Sequence, residues 1–234
     1  MIQVYRAGER YHANHGWLDT YFSFSFAEYF DPNNMNFGPL RVLNDDVIQP
    51  LRGFGMHPHQ EMEIVTIVLS GQLKHQDSLG NEAVTTFGGI QRMSAGTGIV
   101  HSEVNPSATE PVNLLQLWFL PERHGIAPSY EKTTYDVALL KNQLLPVVAK
   151  NPSSPNIAHI HQDVTIYLSD VEAGNDIAFT QTSGRRIFLF VIEGELAIND
   201  KVKLYRRDSA RITETSSVKM TATSDTRLML IDLP

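Results

Sequence analysis

Residues 57–81 read HPHQEMEIVTIVLSGQLKHQDSLGN, and this stretch decides the fold. Met62 to Leu69 is a run of apolar and β-branched residues, and Gln72 to Gln76 is a second short extended run. After them, Asp77-Ser78-Leu79-Gly80-Asn81 supplies a residue tolerant of positive φ, so the chain turns back in a hairpin. The same pattern recurs on both sides: RVLNDDVI (41–48), VNLLQLWFL (112–120), RIFLFVIEGELAI (186–198) and RLMLIDL (227–233) are bounded by turn residues. Helical periodicity is weak and confined to Tyr135 to Gln143, which reads as a connector. The chain is therefore expected to be all-β.

An internal repeat divides it. IVTIVLSGQL (64–73) resembles IFLFVIEGEL (187–196), and LLQLWFLP (114–121) resembles LMLIDLP (228–234). Two similar β units follow, with a boundary near residue 135: residues 1–135 form one domain and residues 136–234 the other. Closing each into a small sandwich or barrel leaves fewer sheet edges exposed.

The 234 residues contain no cysteine, which excludes disulfides and thiolate metal sites; any ion must be held by imidazole and oxygen. The net charge is −7 and the basic residues are scattered, which argues against direct nucleic-acid binding. No window approaches the ~18 continuous apolar residues of a membrane span, and the N-terminus lacks an apolar leader core. A cytoplasmic protein without a membrane partner is the expectation.

Two ligand pairs, one His-x-His and one His-x-Glu, carry the chemistry. His57-Pro58-His59 lies before the hairpin, and His101-Ser102-Glu103 after it. Residues two apart in a strand point to one face, so both pairs can converge on a single cation. Pro58 lacks an N–H and belongs on an edge strand or bulge. Glycines precede both pairs, in Arg52-Gly53-Phe54-Gly55 and Ala95-Gly96-Thr97-Gly98. A lone His-x-His in a β-rich chain is more commonly a surface or core pair, but two ligand pairs with glycine-led entries favour a metal site. The remaining histidines have structural readings. His12 and His15 tie the N-terminal segment by hydrogen bonds, His75 and His124 face solvent, and His159 with His161 is a structural or surface pair. Trp17, Phe22, Phe24 and Phe26 alternate as one packed face, while Gln116 and Trp118 share a face that could line the barrel. In the second unit, Thr180 and Thr182 stand where counting from Gly194 places the first histidine pair, and Asp208 to Thr213 offers no second one. That unit is expected to bind no metal.

The spacing His57-x-His59-x3-Glu63, then Gly89-x6-Gly96-x-Gly98-x2-His101-x3-Asn105, resembles the paired cupin motifs. HPHQEMEIVTIVLSGQLKHQDSLGN with MSAGTGIVHSEVNPS resembles the signature of the pirin family, and HANHGWLDTYFSFSFAEYFDP resembles its bacterial members. The resemblance is dense between residues 12 and 121. It implies two tandem cupin (double-stranded β-helix, jelly-roll) barrels, with a non-haem metal, commonly Fe(II), in the first. The ligands it implies are His57, His59, His101 and Glu103. The general cupin pattern would instead take its carboxylate from Glu63; we favour Glu103, leaving Glu63 to fix a histidine tautomer. Nitrogen and oxygen donors alone also suit Mn, Co, Ni or Zn. Several bacterial relatives are quercetin 2,3-dioxygenases, and the mammalian relative is a nuclear transcriptional coregulator. The expectation is a dioxygenase that opens a flavonol or related phenolic ring with O2, Glu103 also taking the substrate proton. The alternative is a metal- or redox-responsive binding protein with a regulatory protein partner. Free histidine titrates near ~6.5, so the ion should leave as pH falls below roughly that value.

Overall fold

The computed structural model describes residues 1–234. Apart from two short 3-10 turns, Ala7–Glu9 and Val137–Leu140, its regular elements are strands. The segment that reads as weakly helical thus holds a single 3-10 turn.

Two compact units emerge, and neither is continuous in sequence. The first contains Tyr11–Thr134 and Asn151–Gln162; the second contains Met1–Arg10, Tyr135–Lys150 and Asp163–Pro234. The chain therefore passes between the units four times, and the boundary near residue 135 is one of those crossings, with three others at 10/11, 150/151 and 162/163. The physical reason lies in strand pairing: Ile2–Tyr5 lies antiparallel to Ser209–Ile212, completing a sheet of the second unit.

Each unit is built from a larger and a smaller antiparallel sheet. In the first, the larger sheet runs in the order Ser129–Thr134, Gly89–Ser94, Glu63–Ser70, Val112–Phe119, Leu40–Ile48, Leu18–Phe22 and Tyr11–Asn14. Its smaller sheet runs Gly53–His59, Ile99–Val104, Gln72–Asp77 and Glu82–Thr86. In the second unit the strands Ser209–Ile212, Arg186–Glu193, Thr226–Leu233 and Thr165–Val171 are consecutive neighbours in the larger sheet. Its smaller sheet is Asp176–Thr180, Ser217–Ala222, Glu195–Ile198 and Val202–Tyr205. The two plans match strand for strand, giving tandem cupin barrels.

The repeated glycines explain the shared geometry. Gly71 has φ +75, and a Cβ there would lie 2.5 Å from the Pro111 carbonyl oxygen; Gly194 has φ +86, with 2.2 Å to that of Asp225. Both turn a strand of the larger sheet into one of the smaller while passing directly over the start of a neighbouring strand. Only glycine meets both demands.

The topology also corrects the strand correspondence. Ser209–Ile212 neighbours Arg186–Glu193 as Gly89–Ser94 neighbours Glu63–Ser70, so it is not the counterpart of the strand bearing His101. That counterpart is Ser217–Ala222, paired with Asp176–Thr180, and the inward residues of this pair are Ile177, Phe179, Val218 and Met220.

Candidate metal centre

Gly53–His59 is the edge of its four-stranded sheet, which accommodates Pro58 without breaking a ladder. It pairs with Ile99–Val104: His101 opposes His57, while Glu103 opposes Phe54. Ser102 on one strand faces both Gly55 and Met56 on the other, so the ligand-bearing strand is bulged between Phe54 and His57. Close approach at the bulge requires Gly53, where a Cβ would come within 2.2 Å of the Glu103 carbonyl oxygen.

This register gathers three imidazoles. Ring centroids lie 4.8 Å apart for His57 and His59, 4.5 Å for His57 and His101, and 4.9 Å for His59 and His101. One ring nitrogen from each lies within 4.8 Å of the others. One of the three has its tautomer fixed by a backbone carbonyl, and a second presents a bare nitrogen. His57 donates from Nδ1 to the Gly55 carbonyl at 2.7 Å, which leaves its Nε2 lone pair free. His101 is buried and its Nε2 has no hydrogen-bond partner. An orphaned buried nitrogen facing two further imidazoles fits a transition-metal ligand set.

Glu103 is placed differently. Its carboxylate groups with His101 and His75, not with the trio of His57, His59 and His101. Gln116 donates to Glu103 Oε2 at 2.5 Å, Thr66 to Oε1 at 3.3 Å, and Trp118 Nε1 to Gln116 Oε1 at 3.1 Å. Burial raises its pKa to about 7, against the lowering effect of these donors. The imidazoles shift the other way: desolvation, then the neighbouring His57, lowers His59 to about 4 and His101 further still. Without an ion, His59 and His101 favour the neutral ring and Glu103 keeps its proton up to about pH 7, a state that a divalent cation would reverse at the carboxyl.

Beside the trio opens a cavity of about 400 Å³. Trp17, Phe22, Phe26, Phe54 and Trp118 supply its aromatic walls, and Thr20, Asn44, Asp46, Glu103 and Gln116 a polar side.

Comparison with known proteins agrees with this architecture. The family model described as Pirin matches residues 4–119, and that of the quercetinase C-terminal cupin domain matches 147–233. The chain is 45% identical over 238 aligned residues to the quercetin 2,3-dioxygenase of Escherichia coli K12, covering 100% of this chain and 99% of that one. It belongs to the pirin family. A crystal structure of YhhW from Escherichia coli superposes on this pirin with a TM-score of 0.95 at 43% identity, covering 100% of this chain and 98% of that one. A structure of bacterial pirin YhhW with nickel(II), also from Escherichia coli, gives 0.94 at 43% identity, covering 100% and 99%. This pirin is thus quercetin 2,3-dioxygenase-like over its whole length.

The folded chain places several of the sequence-predicted residues differently. His75 does not face solvent: it is 1% exposed, because it shares the inward parity of Leu73 on Gln72–Asp77. His124 is exposed as expected. Glu63 does fix a histidine, but the partner is His161, whose Nδ1 and backbone N–H both lie 2.9 Å from its Oε1. With Ser94 and Gln162 also donating, Glu63 is a buried clasp for the returning segment 151–162. His12 does meet Asp19, tying the first two strands of the pirin's first barrel together. Trp17, Phe22 and Phe26 face the cavity, whereas Phe24 is core. Gln116 and Trp118 line the cavity wall.

The polar residues of Leu40–Ile48 are the main feature not legible earlier. Asp46 is 2% exposed, accepts from Thr20, and is raised to about 7, chiefly by burial. Asn44 Oδ1 is buried without a partner. Their signal was available: Asn44 and Asp46 share the parity of Val42 and Ile48 in a strand that is otherwise apolar on that face.

Proposed function

We propose that this pirin is a metal-dependent dioxygenase that opens a flavonol or related phenolic ring with O2. The observation that carries the reading is the trio of His57, His59 and His101, with a free Nε2 lone pair on His57 and a buried Nε2 without a hydrogen-bond partner on His101, beside an aromatic-sided 400 Å³ cavity. That volume falls in the usual range for small-molecule sites, roughly 300–1,000 Å³.

The three imidazoles would hold one divalent ion, and Glu103, whose carboxylate lies with His101 and His75, would reach it from the His101 side as a fourth ligand; iron is the metal we favour, and nickel(II) is the ion named for the YhhW complex. When bound, the metal supplies a Lewis-acidic, redox-capable centre for an electron-rich hydroxylated ring and O2. The chain does the rest. Trp17, Phe22, Phe26 and Trp118 stack against a planar ligand and exclude water. Glu103, ionised once a cation is bound, accepts the proton of the reacting hydroxyl while Gln116 and Thr66 hold its carboxylate in place. Asn44 and Asp46 offer hydrogen-bond partners to further hydroxyls, so the cavity suits polyhydroxylated aromatics over unsubstituted ones.

The test is an anaerobic titration of the metal-loaded chain with quercetin, followed by admission of oxygen. Binding with metal-dependent O2 uptake supports the reading, and the absence of uptake in a fully loaded chain sinks it.

A further inference from the structure

The hairpin and its buried histidine have a role that the ligand set leaves unassigned. Asp77 closes the hairpin: its Oδ1 accepts from the backbone N–H of Leu79 at 2.9 Å and of Asn81 at 3.0 Å. The other oxygen, Oδ2, lies 2.9 Å from His75 Nε2. On the far side of that ring, His75 Nδ1 is 3.3 Å from His101 Nδ1. Tyr130 stacks on His75 with centroids 4.0 Å apart and planes 9° apart, and the Tyr130 hydroxyl donates to Gln91 at 3.1 Å. His75 therefore has little freedom to rotate.

The proton positions follow from donor and acceptor rules. A carboxylate only accepts, so His75 Nε2 carries the hydrogen toward Asp77. In a neutral ring the opposite nitrogen is then bare, and His75 Nδ1 must accept. His101 must in turn donate from its Nδ1, leaving Nε2, the buried nitrogen without a partner, as a lone pair facing His57 and His59. The geometry points to His75 and Asp77 as positioning residues that fix the tautomer and ring orientation of His101 for metal binding. A turn at the barrel surface, where Leu79 is exposed, is thereby coupled through two imidazoles to the ion. Outer partners of this kind shape a metal site because they set the basicity and direction of the ligand.

The inference rests on the reading of the trio as one ion's ligands, and its test separates the two. Long-range 1H–15N spectra of the histidine rings in the metal-free full chain, assigned by difference with His101→Ala, report the tautomer directly. We expect His101 to carry its proton on Nδ1. A proton on Nε2 in the wild-type chain overturns the relay whatever the metal does. Failure of the wild-type chain to bind nickel(II) overturns the ligand reading while the ring spectrum still decides the relay.

Variants supply the energetic arm. His75→Phe keeps a flat ring under Tyr130 but removes the acceptor. It should mix the His101 tautomers and weaken nickel(II) binding by about 10–100-fold. His75→Gln, which restores an acceptor, should recover part of that loss. Asp77→Asn keeps Oδ1 for the hairpin and turns an amide N–H₂ toward His75, so it should reverse the relay and move the His101 proton to Nε2. Unchanged tautomer and affinity in His75→Phe overturn the proposal. So does abolition of binding to the extent seen in His101→Ala, which would make His75 a ligand. Should His75→Phe fail to fold, Asp77→Asn and the wild-type spectrum decide.

Discussion

The first barrel places a polar layer where the second places hydrocarbon. In the second, Leu189, Leu196, Leu204, Val218, Met220 and Leu230 belong to one continuous apolar cluster. In the first, two smaller apolar clusters stand apart from each other, one around Val68, Leu73 and Leu114 and the other around Ile64, Met93 and Ile99. Between the two kinds of interior the difference is chemical, since the strand order is shared. A buried Leu, Ile or Met contributes roughly 1.5–3 kcal/mol of transfer free energy, whereas a buried carboxyl or imidazole must be hydrogen-bonded or bound to avoid a cost. The same scaffold thus serves stability in one copy and chemistry in the other.

The sharpest way to break this contrast is a pair of substitutions at corresponding strands. His101→Ala should weaken nickel(II) binding more than ~100-fold, beyond the range expected for an outer partner. Met220→Ala should leave that affinity unchanged and lower the unfolding free energy by about 2–5 kcal/mol. Calorimetric titration and denaturant unfolding read the two effects, and an affinity change in Met220→Ala would show that the barrels do not divide labour in this way.

Glu103→Gln comes next. Loss of a positioned proton acceptor should lower turnover about 100–10,000-fold. Residual metal affinity measured in the same variant shows how far Glu103 also acts as ligand.

Acid sensitivity should also differ between the barrels. His59 is lowered to about 4 and His101 below its ordinary value, so their rings stay neutral well under pH 6.5. The loaded chain should therefore hold its ion to nearer pH 4 than the free-histidine value implies, as a metal-release titration would show. In the metal-free chain the lowered histidines favour folding above 6.5, a contribution lost as pH falls toward 4. Glu103 and Asp46, raised to about 7, act oppositely: their contribution is complete below about 4.5 and is lost as pH rises through 7. Between 4.5 and 6.5 the two oppose one another, and above 6.5 only the carboxyls remain. Amide exchange in the metal-free first barrel should therefore quicken from pH 6.5 to 8, beyond the intrinsic rate increase, and an added ion should suppress the part due to Glu103. Equal behaviour in the second barrel would remove the distinction.

The smallest effect is expected from Thr20→Val, which removes the donor to Asp46 and leaves one oxygen of a buried carboxyl unpaired. A cost of about 1–3 kcal/mol in stability, without change in nickel(II) affinity, is the outcome to check by denaturant unfolding.

Local pattern alone determined much of this protein. Strand runs such as Ile64 to Leu69, the glycine echo at 71 and 194, and the paired His-x-His and His-x-Glu specified two similar all-β units with one histidine-bearing member, and the motif resemblance implied that both are cupin barrels. These signals are legible because strand parity, turn chemistry and the positive φ of glycine act over a few residues. Tertiary structure decided what depends on residues distant in the chain. The bulge opposite Ser102 sets Glu103 against Phe54, and its carboxylate lies with His101 and His75. Met1–Arg10 joins the far unit through a ladder with Ser209–Ile212. His75 becomes a buried partner of His101, and Asp46 a cavity wall, because the neighbouring strands that cover them come from elsewhere in the sequence. Burial, and with it the pKa and hydrogen-bond partner of each polar group, is set by the elements packed against it, and no run of neighbouring residues contains that information.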